Sequence, residues 1–374
     1  MKIKYICLYF VVMTISLNGC ILPYQKFSIG SDNYVKANPS VKNKDLGRNH
    51  LVLISVIDTG VNYNHTHLQQ NIRQNTTRPG VGLDILGEDF FPYPIVISPE
   101  DGSIIEILDG SDNHGTHVAG IALLGGVYNL PKLGKVSVGP LIGLLPIRAI
   151  PVGFSASEMS DAEQDKLKLE KYLIDKIIYS LEKSIRFSIS EGVDIINMSL
   201  AINGNDLSSD NRKILDEKMN NIIFKLIKNE GKDILFVFAA GNDSIIVHSN
   251  YYPASFKAKN TITVGALKNK NSVAEFTNYG DLVDIYINGS NINSLYSKNS
   301  RGKMTGTSMS APLISNLAAK LKLIAPCLHA NEIKNIIINT GKKITIDFNI
   351  KHLSKIASFK KAIKRAYIHS HSCK

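Results

Sequence analysis

The sequence predicts an α/β domain in three layers, with a mainly parallel β-sheet and helices on both faces. From residue 51 onward, short apolar runs rich in β-branched residues alternate with helical patterns, which is typical of successive βαβ units. The chain has 374 residues, of which 44% are hydrophobic and 20% charged, so it can bury a full core. No internal repeat or low-complexity block interrupts the pattern, and we expect one domain.

Six apolar runs are the predicted strands of this sheet. In order they are "LVLISVID" (51–58), "GLLPIRAI" (143–150), "VDIINMSL" (193–200), "ILFVFAAGN" (234–242), "TITVGAL" (261–267) and "LVDIYI" (282–287). Helices are predicted from His114, over about 162–190, between 200 and 234, and over 308–324 and 331–339. The basic segment "KHLSKIASFKKAIKRAY" (351–367) predicts a loosely amphipathic last helix with Ile356, Phe359, Ile363 and Tyr367 on one side.

The N-terminus predicts an export signal. Residues 1–19 place Lys2 and Lys4 before an apolar run that is too short to span a bilayer and is built like a secretory signal. The run ends in "LNGC", which resembles a bacterial lipobox whose Cys is acylated after cleavage. We expect an exported protein, lipidated at Cys20 and anchored on the periplasmic or extracellular side of a membrane. An ordinary signal cut nearby is the alternative.

The rest of the chain divides into three parts. Residues 20–45 are polar and rich in Lys and Asn, as in a linker. We expect the folded domain at 46–367, followed by a frayed C-terminal tail at 368–374. Two Cys remain in the mature domain, Cys327 and Cys373, and export makes a disulfide between them feasible, with two free thiols as the alternative.

The positive charge is concentrated near the C-terminus. Residues 341–374 hold nine Lys or Arg and one Asp, which is +8 of the formal net charge of +11. Such a segment is usually a solvated face, although a basic helix on a tethered protein could also contact anionic lipid. No nucleic-acid motif accompanies it, so nucleic acid is not an expected partner.

Three polar residues stand where predicted strands end or helices begin. Asp58 ends "VLISVID", His114 opens a helix in "SDNHGTHVAGI", and Ser308 opens another in "GTSMSAP". In parallel sheets such positions share one crevice. A Ser hydroxyl needs a base to take its proton, and the base needs a carboxylate to orient it. The sequence therefore predicts a catalytic Asp-His-Ser triad.

These segments resemble the signatures of the subtilisin-like serine proteases, the peptidase S8 family, which use the same chain order of Asp, His and Ser. The resemblance runs over almost all of residues 50–367 and implies a serine endopeptidase that works through an acyl-enzyme. It implies that Asn242 in "FVFAAGND" is an oxyanion-hole donor beside the N–H of Ser308. The resemblance also implies that the "SLAI" segment binds substrate through Ser199, Leu200, Ala201 and Ile202.

Several positions depart from the family pattern. Asn113 replaces a common Gly before His114, and Ile287, Asn288 and Gly289 replace a common Ala-Pro-Gly. His67 stands where the common calcium site has a carboxylate, so we expect no cofactor and no calcium at that site. The thirty residues from 21 to 50 are too few for a folded pro-domain.

Side chains also stand where relatives have Gly around the specificity pocket. Ala201 and Ile202 replace two Gly, and Tyr251 replaces a Gly at the pocket floor. We expect a shallow pocket that prefers small or modest apolar side chains, and these departures favour selective processing of one protein over general degradation. The expected partner is a protein or peptide substrate, and we expect a monomer.

Two other functions are open to the sequence. His114 and His117 form an H-x-x-H pair, but the Glu of a metal hydrolase motif is absent, and His117 is better explained as a packed helix residue. A catalytically inactive binding protein on the same fold is the second alternative, against which the retained triad and Asn242 argue.

Overall fold

The structure, a computed structural model, describes residues 51–373 apart from 77, 95, 98–103, 106–112, 131–132, 151–162, 271, 297 and 349. The predicted signal, the linker and Cys20 lie outside the described residues.

The strands are β1 (Val52–Asp58), β2 (Leu83–Asp84), β3 (Val96–Ile97), β4 (Ile104–Ile105), β5 (Val127–Leu130), β6 (Gly134–Ser137), β7 (Ile142–Arg148), β8 (Ile195–Met198), β9 (Ile202–Asn203), β10 (Leu235–Ala239), β11 (Tyr251–Tyr252), β12 (Thr261–Leu267), β13 (Ile285–Asn288), β14 (Ile292–Tyr296), β15 (Ser300–Met304), β16 (Lys342–Phe348) and β17 (Ile350–Ile356). The helices are α1 (His114–Ala122), α2 (Glu163–Ser190), α3 (Ser209–Lys218), α4 (Lys225–Lys228), α5 (Thr307–Ile324), α6 (Ala330–Asn339) and α7 (Phe359–Ser370), with a π-helical stretch (Met219–Phe224) joining α3 to α4.

Nine of the strands in the described residues form the central sheet. Their order is β16-β17-β13-β12-β10-β8-β1-β7-β2. Every neighbouring pair is parallel except the edge pair β16 and β17, which is antiparallel. The prediction of a mainly parallel sheet with helices on both faces is confirmed.

The side chains of β1 alternate between two cores, one on each face of the sheet. Val52, Ile54 and Val56 pack on the face covered by α1 and α5. Leu53 and Ile57 pack on the face covered by α2 and α3. Because a strand buried on both faces needs apolar side chains at successive positions, the largely apolar run of β1 suits its central place. Each such side chain contributes about 1.5–3 kcal/mol when fully buried.

The C-terminal segment differs from the prediction of one helix over 351–367. Ile350–Ile356 is strand β17, and helix α7 begins only at Phe359. Between them, the side chain of Ser358 accepts a hydrogen bond from the N–H of Lys361 at 3.4 Å and caps the helix. Residues 342–356 instead form a hairpin, because the apolar residues of "KKITIDF" alternate with polar ones at the period of a strand.

The end of the chain is fixed by a disulfide. Cys327 and Cys373 are bonded, with their Cα atoms 5.5 Å apart. Helix α7 also continues to Ser370, beyond the predicted domain boundary at residue 367. The prediction of a frayed tail over 368–374 is therefore wrong for its described residues, since the bond joins the segment after α7 to the turn between α5 and α6.

Candidate active site

Three strands bring polar residues to one edge of the sheet. β1 ends in Asp58, β8 leads into Ser199, and β10 leads into Asn242. These strands are adjacent and parallel, so their carboxyl ends lie side by side. Helices α1 and α5 start at the same edge and carry His114 and Ser308 in their first turns.

Asp58 holds the imidazole of His114. Asp58 is 1% exposed, and its Oδ1 lies 2.7 Å from Nδ1 of His114. The backbone N–H of Thr59 donates to the same oxygen at 2.8 Å. A carboxylate against Nδ1 favours the tautomer in which Nδ1 carries the proton, so Nε2 of the neutral ring is the acceptor.

Gly115 allows helix α1 to approach β1 this closely. A Cβ at Gly115 would lie 2.0 Å from the carbonyl oxygen of Gly60 and 3.2 Å from Oδ1 of Asp58. The first distance is too short for a carbon atom unless the backbone moves, and the second is a tight contact with the carboxylate. A side chain here would therefore separate His114 from Asp58.

Ser308 is tied to the end of β8 through its backbone and its side chain. Pro312 in α5 has no N–H, so the helix offers no donor to the carbonyl of Ser308 four residues earlier. The Oγ of Ser199 supplies that donor at 2.9 Å, and Asn197 in turn donates to this oxygen at 2.9 Å. The Oγ of Ser308 donates to the carbonyl of Ser199 at 3.3 Å. The Pro in "GTSMSAP" thus makes room for a contact that positions Ser308.

The side chain of Asn242 is oriented by the residue before Ser308. Its Oδ1 accepts from the N–H and from the Oγ1 of Thr307, each at 2.9 Å. Thr307 Oγ1 also accepts from the N–H of Gly241 at 3.1 Å. With Oδ1 engaged in this way, Nδ2 is the end of the amide that a ligand can use. A Cβ at Gly306 would lie 3.3 Å from Nδ2, so Gly keeps the approach to that amide open.

The "SLAI" segment lines the same edge, but its side chains point to different cores. Ser199, Leu200, Ala201 and Ile202 are all buried. Ala201 belongs to the same cluster as Tyr251, whereas Ile202 packs on the α2 and α3 face of the sheet. The structure thus brings Ala201 and Tyr251 together and places the side chain of Ile202 elsewhere.

Tyr251 lies beneath the segment that carries Asn242. β11 pairs with β9 and places Tyr251 opposite Asn203. The ring is 1% exposed, and its hydroxyl donates to Oδ2 of Asp243. Burial raises the pKa of Tyr251, and the nearby charge of Asp243 raises it further. The phenol is therefore a neutral donor that fixes the carboxylate following Asn242.

Two more residues complete this polar cluster. Nδ2 of Asn278 donates to Oδ2 of Asp243 at 3.2 Å, and its Oδ1 accepts from the N–H of Asp243 at 2.9 Å. Asp206 lies close enough to interact with Asp243, and burial together with that charge raises the pKa of Asp206 to about 6. Sequence reasoning missed Asp206, Asp243 and Asn278. The one local signal for any of these three residues was that Asp243 directly follows Asn242 in "AAGND".

The remaining histidines of the motifs have structural contacts. His117 is fully buried, and its Nε2 lies 2.9 Å from the carbonyl oxygen of Ile292. Burial lowers its pKa to about 4, so the ring is neutral and Nε2 donates. The interpretation of His117 as a packed helix residue is confirmed. His65 is also fully buried, and its Nδ1 accepts from the N–H of His67 at 3.1 Å.

The surroundings of His67 do not resemble a calcium site. A cavity of about 160 Å³ beside it is lined by leucines, two glycines and Arg301. Calcium prefers carboxylate and carbonyl oxygens. In the described part of the chain, no group of three or more His, Cys, Asp or Glu residues could hold a metal ion.

Comparison with known proteins identifies the family that this fold and site define. The model of the subtilase family matches residues 49–357, and the chain belongs to that family. A thermophilic serine proteinase from Bacillus sp. (strain AK1) is 29% identical over 293 residues, which cover 78% of this chain and 57% of that protein. Subtilisin Savinase from Lederbergia lenta is 26% identical over 294 residues, which cover 78% of this chain and 84% of that protein. The chain spans about half the length of three of the curated relatives that it matches, this thermophilic proteinase among them.

A solved structure with the same fold supports the three-layer architecture. A cold-adapted subtilisin-like serine proteinase superposes with a TM-score of 0.54 at 22% identity, covering 82% of this chain and 88% of that chain. The subtilisin-like fold predicted from the sequence is confirmed.

Proposed function

We propose that the protein is a serine endopeptidase in which Asp58, His114 and Ser308 form the catalytic triad. The observation that carries the proposal is the 2.7 Å contact between Asp58 and His114, at the sheet edge where Ser308 lies in the first turn of helix α5. Membership of the subtilase family supports the same reaction. The substrate class is therefore protein or peptide.

In the proposed reaction, Oγ of Ser308 attacks the carbonyl carbon of the scissile bond while Nε2 of His114 takes the hydroxyl proton. Asp58 stabilises the imidazolium that forms. The tetrahedral intermediate collapses as the C–N bond breaks and His114 gives its proton to the leaving amine. Water, activated by His114, then attacks the acyl-enzyme and restores Ser308.

The oxyanion of the intermediate is proposed to bind to two donors. Nδ2 of Asn242 is the first, since Oδ1 of that residue is engaged with Thr307. The backbone N–H of Ser308 is the second, because the first N–H groups of an α-helix have no acceptor within the helix. Neither donor has to reorganise when charge develops on the substrate.

Two substitutions test the proposal. Ser308→Ala and His114→Ala should each remove nearly all peptidase turnover while leaving the circular dichroism spectrum unchanged. The two losses should not add, because the triad acts as a unit. A Ser308→Ala protein with wild-type turnover would refute the triad, and a folded wild-type protein without turnover would favour an inactive binding protein.

For specificity, we propose a shallow pocket for the side chain that precedes the scissile bond. The buried ring of Tyr251, held by Asp243, supports this, and so does Ala201 in the same cluster. A pocket of this kind favours small apolar side chains and selective processing of one exported or partner protein. Cleaved N-termini compared between wild type and Ser308→Ala in the producing cell would identify the substrate.

We further propose export and acylation at Cys20. "LNGC" at the end of the signal-like segment supports acylation, and a matching relative is described as an extracellular serine protease from Natrialba magadii. No helix in the described part of the chain is both long and apolar enough to cross a bilayer. Mass spectrometry should find a mature N-terminus at an acylated Cys20, and an unmodified N-terminus elsewhere would refute this anchor.

We propose that the protein needs no calcium at the common family site. His67 in place of a carboxylate and the apolar, basic lining beside it support the proposal. The melting temperature should not change when a calcium chelator is added.

A further inference from the structure

The end of the sheet opposite the active site carries a basic and partly apolar surface. We call it the basal face. It consists of the exposed residues Leu51, Val127, Leu133, Lys361, Lys364, Arg365 and Ile368.

Helix α7 supplies the basic part of the basal face. Its inner side is formed by Ala362 and Ala366, both fully buried. Its outer side presents Lys361, Lys364 and Arg365, followed by Ile368, which is 55% exposed. The spacing of i, i+3, i+4 and i+7 places these four side chains on one side of the helix, and the helix contains no Asp or Glu.

The hairpin of β5 and β6 supplies the apolar part. Val127 is 61% exposed and Leu133 is 50% exposed. The hairpin is bound to α7, because the N–H of Asn129 donates to the hydroxyl of Tyr367 at 3.1 Å. The basic and apolar parts therefore lie side by side.

Buried Lys320 links α5 to both elements. Its Nζ donates to the carbonyl of Gly125 at 3.0 Å and lies 5.6 and 5.7 Å from the ring centres of Tyr128 and Phe359. Lys320 is twelve residues beyond Ser308 in an α-helix, which corresponds to about 18 Å. The basal face is thus separated from the active-site edge by most of the length of α5.

The chain enters the domain at this same end. β1 starts after Leu51 and ends at Asp58, so Leu51 lies at the edge of the sheet away from the active site. The N–H of Leu51 donates to the carbonyl of Leu141 at 2.9 Å. Leu141 ends the short turn Gly139–Leu141, which follows the hairpin of β5 and β6. The two ends of the hairpin lie close together, since a Cβ on Gly125 would lie 3.8 Å from Cα of Gly139. Leu51 thus joins the hairpin end of the domain.

The preceding 50 residues contain the proposed acylation site. Cys20 is 31 residues before Leu51, a distance along the chain of at most about 110 Å. A tether of this length keeps the domain at a high effective concentration next to the bilayer. A weak surface contact would then be enough to orient the domain.

From this juxtaposition, we propose that the basal face docks on an anionic lipid bilayer and that the active-site edge faces away from the membrane. Basic side chains around exposed apolar ones are the chemistry that an anionic headgroup region binds. Glu332, whose Oε1 lies 3.9 Å from Nε2 of His369, offsets part of the positive charge at the end of α7. This one carboxylate is outnumbered by the three exposed cations of the basal face, Lys361, Lys364 and Arg365.

The chain has no Trp, so one introduced Trp can report on docking. Mature full-length protein carrying Ile368→Trp would be reconstituted on vesicles of phosphatidylcholine alone or with phosphatidylglycerol. We expect a blue shift of Trp emission, and quenching by brominated lipid, only on the anionic vesicles. Tyr179→Trp, at a position that is 54% exposed on α2, is the matched reporter and should show neither.

A charge reversal separates docking from acyl anchoring. Adding Lys361→Glu, Lys364→Glu and Arg365→Glu to the Ile368→Trp protein should abolish the blue shift while the protein stays vesicle-bound through its acyl chain. Each cation near an anionic surface strengthens binding about fivefold, so the triple change should weaken docking more than a hundredfold. The matched control reverses three exposed Lys of α2 by the same six charge units and should keep the shift. Its positions are Lys171, Lys176 and Lys183.

Three results would overturn the proposal. The first is an equal shift on neutral and anionic vesicles, and the second is no shift on either. The third is a shift without vesicles that grows with protein concentration, since it would identify a second copy of the chain as the occupant of the basal face.

Discussion

Replacing Tyr251 by Gly should change which peptide bonds the protein cleaves. In the wild-type protein the ring is 1% exposed and fills the space below Asn242, with its hydroxyl on Asp243. Removing the ring opens that space to a substrate side chain. Removing the hydroxyl also takes one donor from Asp243, which keeps the 3.2 Å hydrogen bond from Asn278. We therefore expect kcat/KM to rise for substrates with a large side chain before the scissile bond, and to rise more for Lys or Arg than for Phe.

The size of the change follows from packing. Forcing extra volume into a filled pocket costs about 1–3 kcal/mol. The wild-type protein should therefore prefer Ala to Phe before the scissile bond by about tenfold to a hundredfold in kcat/KM, and Tyr251→Gly should remove this preference. Loss of a buried aromatic side chain should lower the free energy of unfolding by about 3–5 kcal/mol. Unfolding must therefore be measured for each variant.

Tyr252→Gly is the matched control. Tyr252 is also 1% exposed, but it packs on the α2 and α3 face of the sheet and donates to Oδ1 of Asp216 at 2.9 Å. This change removes the same side chain without opening the pocket, so the preference for Ala should remain. The assay is kcat/KM over a peptide series varied only at the residue before the scissile bond. A wild-type preference for Phe, or equal behaviour of Tyr251→Gly and Tyr252→Gly, would show that the reasoning is wrong.

Three further predictions concern the oxyanion hole, the disulfide and a buried cation. Asn242→Ala should lower kcat about 10²–10³-fold with little change in KM, an effect known for this donor in subtilisin; an unchanged kcat would exclude Asn242 from the oxyanion hole. Cys373→Ser should lower the melting temperature by several degrees, since a bond across 46 residues contributes about 4 kcal/mol in the chain-entropy model; an equal melting temperature would contradict it. Burial lowers the pKa of Lys320 to about 8, below its unfolded value of 10.5, so the stability of the wild-type protein relative to Lys320→Met should rise between pH 8 and pH 10.5. Urea unfolding across that range measures the slope, and a flat difference would contradict the assigned pKa.

The sheet could be predicted because its pattern is local. Largely apolar runs such as that of β1 are typical of strands buried on both faces. The long charged helix could also be predicted from the helical spacing of its apolar residues, and the predicted start at about residue 162 agrees with the start of α2 at Glu163. The three residues of the proposed triad could be placed near one another because strand ends and helix starts share an edge in parallel sheets.

The C-terminal hairpin was missed because its sequence is ambiguous. "IKHLSKI" places its apolar residues at every third position, which is closer to the period of a helix than to the alternation of a strand, and it is followed without a Gly or Pro by helix α7. Over seven residues this spacing does not by itself separate a helix from a strand. Pairing with β16 decides the outcome, and that pairing cannot be read from the segment alone.

The details of the specificity pocket depend on contacts between distant segments. Tyr251 reaches Asp243 only because β11 pairs with β9, and Asn278 joins them from a third segment. The side chain of Ile202 was expected in the pocket, yet successive residues of a strand point to opposite faces, and Ile202 packs with the other core. The disulfide between Cys327 and Cys373 likewise could not be predicted, because it depends on where helix α7 places Cys373.

Covalent labelling tests the proposed triad most directly. The protein would be treated with a serine-directed phosphonate at neutral pH, digested, and searched by mass spectrometry for the modified peptide. The proposed triad predicts one adduct, on Ser308 of the wild-type protein, and a much slower reaction in His114→Ala because the base is missing. An adduct on a different Ser, or labelling of Ser308 at the same rate in both proteins, would refute the triad.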